Sequence, residues 1–174
     1  MLESLITSKT RIKLLLKFFL NKENKGYLRN LEAEFGESTN AIRMELNRLE
    51  SAGLLTTELA GNKKYFSANT QHPLFADIHN ILKKTIGIDR IVDQITSNIG
   101  DLKEAFLVGE LALGRDSNVI DLLLIGENID RSYVTTLVEK AERHINRKIR
   151  YLVLSRSEKE NYLKNNPSLL IWQA

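Results

Sequence analysis

Apolar positions in the first fifty residues recur with a helical period. Ile12, Leu15, Leu16, Phe19 and Leu20 fall at i, i+3, i+4, i+7 and i+8, which is one face of a helix. Ser8 or Thr10 can cap its start, and the polar run from Asn21 to Gly26 stops it. A second, shorter helix carries Leu28, Leu31 and Phe35 and ends at Gly36. A third takes Ser38 as its N-cap, buries Ile42, Leu46 and Leu49, and closes at Gly53. Leu55–Leu59 and Lys63–Ser67 then alternate by face, and Gly61-Asn62 between them suits a tight hairpin turn. The predicted order is helix, helix, helix, hairpin.

The polar stretch Ser67–His72, followed by Pro73, marks a boundary. Residues 73–100 read as one or two connecting helices. One stripe holds Phe75, Ile78, Leu82 and Ile86; another, after Gly87, holds Ile88, Val92, Ile95 and Ile99. Beyond Gly100 the pattern becomes strand, strand, helix, strand, helix. The strands are expected at Ala105–Gly109, Val119–Ile125 and Ile149–Leu154. The intervening helix runs from Arg131 to Ile145 with Val134, Val138, Ala141 and Ile145 inward, and a short helix follows Ser157. The fold class is therefore α+β, in three parts: 1–72, 73–100 and a small α/β unit at 101–174.

Composition narrows the chemistry. The chain has no cysteine, which excludes disulfides, thiol redox chemistry and Cys-based zinc sites. Leu14-Leu15-Leu16 is broken at once by Lys17, and no apolar run reaches the roughly 18 residues of a membrane span. No secretion signal opens the sequence, so a cytoplasmic location is expected. The net charge is +3, and it is unevenly placed. Residues 1–72 hold 11 basic and 8 acidic side chains, whereas 73–174 hold 14 of each. The excess positive charge of the first part hints at nucleic acid. His72, His79 and His144 do not make a ligand set, so neither a metal site nor a cofactor is expected.

The segment Tyr27–Leu55 reads as helix, short turn, helix, in which the second helix crosses the first and turns its outer face to solvent. On that face stand Thr39, Asn40, Arg43, Met44 and Asn47, beginning at Ser38. Short polar groups and an arginine near a helix N-terminus can reach base edges in a major groove, and the helix dipole there favours phosphate. Arg43 is the foremost candidate for a base or phosphate contact. Lys63, Lys64 and Tyr65, directly after the hairpin turn, can lie along phosphates.

These residues carry a resemblance. Ser38–Ile42, Leu46–Leu55 and Gly61–Phe66 make residues 1–72 similar to the winged helix-turn-helix regulators of the ArsR and MarR type. The resemblance implies three helices with a β-hairpin wing and sequence-specific binding of double-stranded DNA. Some winged domains bind only protein, and that alternative stays open.

Residues 105–126, AFLVGELALGRDSNVIDLLLIG, resemble the minimal nucleotidyltransferases of the polymerase-beta type. That family holds two metals on three carboxylates for in-line phosphoryl transfer. Gly109 matches its motif glycine, and Ala112 and Gly114 match small turn positions. Glu110 stands in place of the serine, Val119 in place of the first carboxylate, Asp121 matches the second, and the third falls near Arg150. One carboxylate beside a permanent cation is a poor magnesium site. The expectation is accordingly no catalytic residue and no enzyme, with Asp121 and Arg150 paired across neighbouring strands.

The whole reading is a DNA-binding transcriptional regulator, expected to be a homodimer. Its 101–174 part would serve dimerisation or sensing of a small-molecule or nucleotide effector. The alternatives are a nucleotidyltransferase or antitoxin-type enzyme, or a protein-interaction module.

Overall fold

The computed structural model describes residues 1–96 and 99–174, and the chain is α+β. It divides into two compact units, Met1–Thr85 and Ile86–Ala174. The division falls inside the 73–100 stretch.

The first unit begins with α1 (Leu2–Leu5) and α2 (Lys9–Leu15), which runs directly into a π-helical turn over Leu16–Leu20. Ser8 caps α2 by accepting a hydrogen bond from the Arg11 amide at 3.1 Å. The expected single apolar stripe is corrected here. Leu14 and Phe18, which lie off it, are fully buried, while Ile12 is only partly so. Every residue from Leu14 to Leu20 is buried, because this segment is packed on all sides rather than along one face. The wider π turn also shifts the phase of the repeat. His79 Nδ1 donates to the Phe19 carbonyl at 2.8 Å.

α3 (Leu28–Phe35) ends at Gly36 in the left-handed region, and α4 (Thr39–Ser51) starts at Ser38, whose hydroxyl accepts from the Ala41 amide at 3.2 Å. Ile42, Leu46 and Leu49 are buried as the pattern requires. β1 (Leu55–Ala60) and β2 (Lys63–Ala68) pair antiparallel, Ala60 opposite Lys63. That leaves a two-residue connection, and Gly61 takes the positive φ of 63° that its first position demands. α5 (Phe75–Ile86) follows, with Phe75 and His79 on one face in contact with each other and Phe75 against Phe19.

Ion pairs fix α2 against α3 and α4. Lys17 Nζ lies 2.9 Å from Glu34, with side chains only 6% and 5% exposed. Glu45, on the inner side of α4, receives Arg11 through two hydrogen bonds at 2.8 and 3.2 Å, Ser8 at 3.1 Å and Arg48 at 3.2 Å. Lys13 reaches the Phe35 carbonyl at 3.0 Å and Glu37 at 2.7 Å.

The second unit opens with α6 (Ile88–Ile95), which buries Ile88, Ile91 and Ile95. Ile91 replaces Val92 in the expected stripe, since Val92 is only half-buried, and Ile99 is buried beyond the helix end. Four strands form one sheet in the order β5-β4-β3-β6. They are β3 (Asp101–Val108), β4 (Val119–Glu127), β5 (Lys148–Leu154) and β6 (Ser168–Gln173), joined by α7 (Gly109–Ala112), α8 (Arg131–Glu142) and α9 (Arg156–Asn165). β3 is antiparallel to β4 and β6, while β4 and β5 are parallel. A parallel pair needs a crossover, and α8 provides it. Asp130 caps α8 by accepting from the Tyr133 amide at 3.1 Å. β4 is buried on both faces from Leu122 to Gly126, as its unbroken apolar run implies. Phe106, Val108, Leu123 and Ile125 share one face, on which Leu154 and the α9 residues Tyr162 and Leu163 pack.

Element bounds in this unit also change: β3 begins four residues before Ala105, α8 stops at Glu142 rather than Ile145, α9 starts at Arg156 rather than after Ser157, and β6 was not anticipated. No helix among the described residues is long and apolar enough to cross a membrane.

Removing one partner of a buried pair strands the other charge. Lys17→Met should lower stability by about 3–5 kcal/mol in urea denaturation, and adding Glu34→Leu should recover most of it. A loss no greater than that of a surface substitution would show that the pair does not hold the helices. Glu45 gives a pH signature. Burial pushes its carboxyl up, but the Arg11 and Ser8 hydrogen bonds and the Arg11 and Arg48 charges outweigh this and hold it below 4.5. Its contribution is therefore fully present above that value and is lost as pH falls through the lower folded one. Glu45→Gln should flatten the acid limb of stability against pH; an unchanged limb would remove Glu45 as its source.

Candidate nucleic-acid interface and strand-pair site

α4 presents opposite faces to core and solvent because its apolar residues recur at helical spacing. Arg43, Met44 and Asn47 are exposed, as are Ser38 and Asn40, while Thr39 is half-buried. Asn40 Nδ2 lies 3.8 Å from Met44 Sδ. The hairpin, the start of α3 and this outer side of α4 enclose an open groove of about 500 Å³. Arg43 and Asn47 line it from α4, and Asn62, Lys63, Lys64 and Phe66 from the hairpin. Tyr27, Leu28 and Arg29 line it from the start of α3.

The charges in this groove are not equivalent. Lys64 is held by Glu50 at 2.8 Å and stands over the Phe66 ring at 5.1 Å. Lys63 stands over the Tyr27 ring at 4.6 Å, and Tyr27 meets Tyr65 edge-on at 5.2 Å. Among the described residues, the side chains of Arg29 and Arg43 make no hydrogen bond or ion pair, and no acidic residue lines the groove. Arg48, also exposed on α4, is directed to Glu45 instead.

Of the nine residues that sequence reasoning named for DNA, Arg43, Asn47, Lys63 and Lys64 line the groove. Ser38, Thr39, Asn40, Met44 and Tyr65 lie outside its lining. Tyr27 and Arg29 escaped notice. The available signal was their place at the first turn of the shorter helix, off the Leu28–Leu31–Phe35 stripe.

In the second unit the strand pairing sets Asp121 opposite both Val108 on β3 and Arg150 on β5. Arg150 donates to both Asp121 oxygens, Nε at 2.7 Å and Nη2 at 3.0 Å. The expected cross-strand pair is thus present. Its hydrogen bonds and charge hold the Arg150 guanidinium above its ordinary pKa. The pair lines a groove of about 350 Å³ with Gly109, Tyr151, Tyr162 and Asn166. Glu110 meets Arg115 at 3.4 Å, Val119 is half-buried, and Asp116 meets Arg147 at 2.7 Å. With Val119 apolar and both Asp121 oxygens engaged, these positions do not fit a two-metal site.

No protein-family model matches the chain, and none of the curated proteins does. Solved structures do. A candidate nucleotidyltransferase from Sulfolobus solfataricus is 21% identical, with 55% of this chain and 86% of that one covered and a TM-score of 0.39. A protein from Archaeoglobus fulgidus is 16% identical over 56% and 99%, with a TM-score of 0.37. A possible transcriptional regulator for arsenical resistance is 25% identical over 52% and 88%, with a TM-score of 0.32. The expectation that the chain is no enzyme is corrected by the first of these: a structure of nucleotidyltransferase description stands among those it is similar to, and the exclusion of catalysis is withdrawn.

Gly109 separates backbone strain from the exposed ion pair. Its φ is 67°, and a Cβ there would lie 2.9 Å from Asp121 Oδ2. The carboxylate can shift, but the backbone strain remains. Gly109→Ala should cost about 1–3 kcal/mol in urea denaturation. Arg150→Gln should cost less, because its side chain is 72% exposed. Equal stability of Gly109→Ala and the wild type would refute the strain.

Proposed function

We propose that the chain is a sequence-specific, double-stranded-DNA-binding transcriptional regulator. Residues 1–72 act as a winged helix-turn-helix, with α4 as the reading helix and β1–β2 as the wing. The observation that carries this is the groove in which Arg29, Arg43 and Lys63 converge without an acid among its lining. Uncompensated cations on one surface attract a polyanion. Arg43 and Asn47 are of the types that read base edges, and Lys63 and Arg29 are of the types that hold phosphates. In this reading the chain works as a homodimer, which sets two reading helices about 34 Å apart, one DNA turn. Residues 73–100 connect the DNA-binding part to 101–174, and the latter serves dimerisation or effector sensing.

Selection of bound DNA from a random duplex pool tests the reading. The expected outcome is an enriched, roughly palindromic motif. Arg43→Ala should then weaken binding by about 1–3 kcal/mol and relax one base position, whereas Lys63→Ala should weaken all sequences alike and reduce the salt slope by about one. No enrichment, together with no binding at low salt, would overturn it and direct attention to protein partners.

A further inference from the structure

The sheet of the second unit has two edge strands, and they are not alike. Leu152, Leu123, Phe106 and Leu170 stand in one row across it, from β5 to β6. Leu123 and Phe106 are buried, while Leu152 and Leu170, at the two ends, are 41% and 44% exposed. An edge strand carries unpaired backbone N–H and C=O groups, and charged side chains commonly guard it against another strand. β5 has Lys148 and Arg150, both exposed. β6 carries no charge at all, and its central residues, Leu169-Leu170-Ile171-Trp172, are apolar with none of them buried. Among the described residues, β6 pairs with β3 alone.

The pattern of β6 fits a copy of itself. Read from either end, Ser168–Gln173 is polar at the first position, apolar through the middle and polar at the last. Antiparallel pairing about a two-fold axis between Leu170 and Ile171 sets Ser168 opposite Gln173 of the copy and Leu169 opposite Trp172. Residues opposite one another in such a pair must share a face. In a regular strand Leu169 and Trp172 would point to opposite faces. A bulge removes the conflict. The register with β3 skips Ile171, so Leu169 and Trp172 stand opposite Leu107 and Ala105, on one face. Ser168 and Gln173 stand opposite Val108 and Glu104, on the other. An axis through Leu170 would instead oppose Ser168 to Trp172, and one through Ile171 would oppose Leu169 to Gln173, each from the wrong face.

We propose that β6 is the surface through which two copies of this chain pair, edge to edge and antiparallel, with Leu170 of each opposite Ile171 of the other. The exposed end of the apolar row then packs on the copy, and the free N–H and C=O groups of the edge gain partners. The inference rests on the homodimer part of the function proposed above and names its surface; the pairing itself needs no DNA. The interface is a short one, so association is reversible and depends on concentration.

Sedimentation equilibrium of the full chain over a concentration series tests the pairing, and a monomer–dimer equilibrium is expected. Leu170→Lys sets two ammonium groups beside the axis and should weaken the dimer at least about tenfold. Leu152→Lys, at the other end of the same row, should leave it unchanged. Circular dichroism checks the fold of both variants. A second test, independent of Leu170→Lys, uses the absence of cysteine. Ser168→Cys and Gln173→Cys chains, mixed, should be joined by a short bis-maleimide. Either chain alone should not, since like positions lie about 17 Å apart along the ladder. A monomer at every concentration overturns both the pairing and the homodimer reading. A dimer without the mixed cross-link, or one that a folded Leu170→Lys leaves intact, overturns the pairing and keeps that reading. A dimer cross-linked through β6 in a chain that selects no duplex overturns the DNA reading alone.

Discussion

The geometry of the first unit depends on how the cations of α2 and its π-helical turn are paired. Arg11 binds Glu45 of α4, Lys13 binds Glu37 and the end of α3, and Lys17 binds Glu34 within the core. Each is spaced along one helix and each reaches a different part of the pair it supports. A buried ion pair is weak evidence for stability, but its hydrogen bonds are directional. A one-turn slip of α3 or α4 would strand a charge in low dielectric. The apolar residues supply the driving force for packing, and these pairs select one arrangement of it.

That arrangement also decides where positive charge is left over. Lys25 and Lys64 are matched by Glu58 and Glu50, and Arg48 joins Arg11 at Glu45. The acids of the first unit are thus largely consumed by internal or flanking pairs. What remains on the groove, Arg29, Arg43 and Lys63, is a local excess much sharper than a net charge of +3 suggests. Electrostatic attraction for an anion follows from that concentration and not from the total.

The second unit applies the same chemistry to a different end. Asp121 sits on a central strand beside an arginine on the next one, and a bidentate pair satisfies both carboxylate oxygens. The parallel pairing of β4 and β5 brings them together, although they are 29 residues apart in the chain. Gly109, at the end of β3, gives Asp121 room, since any side chain there would press on the carboxylate.

Much of this was legible in the sequence because local rules govern it. Ser38 and Gly36 mark the ends of two helices by their hydrogen-bonding and conformational preferences, and the Ile42–Leu46–Leu49 spacing identifies the buried side of α4. Gly61-Asn62 defines the hairpin, and the run after Val119 a strand buried on both faces. Tertiary structure decided the rest. The all-round burial of Leu14–Leu20 depends on what surrounds that segment. β6 is a short apolar run after Pro167 that becomes a strand only because β3 has a free edge to pair with. Arg29 and Tyr27 join Arg43 and Lys63 because helix crossing and hairpin placement set their distances. A sequence states which residues carry charge; only packing determines which charges are spent on each other and which are left facing solvent.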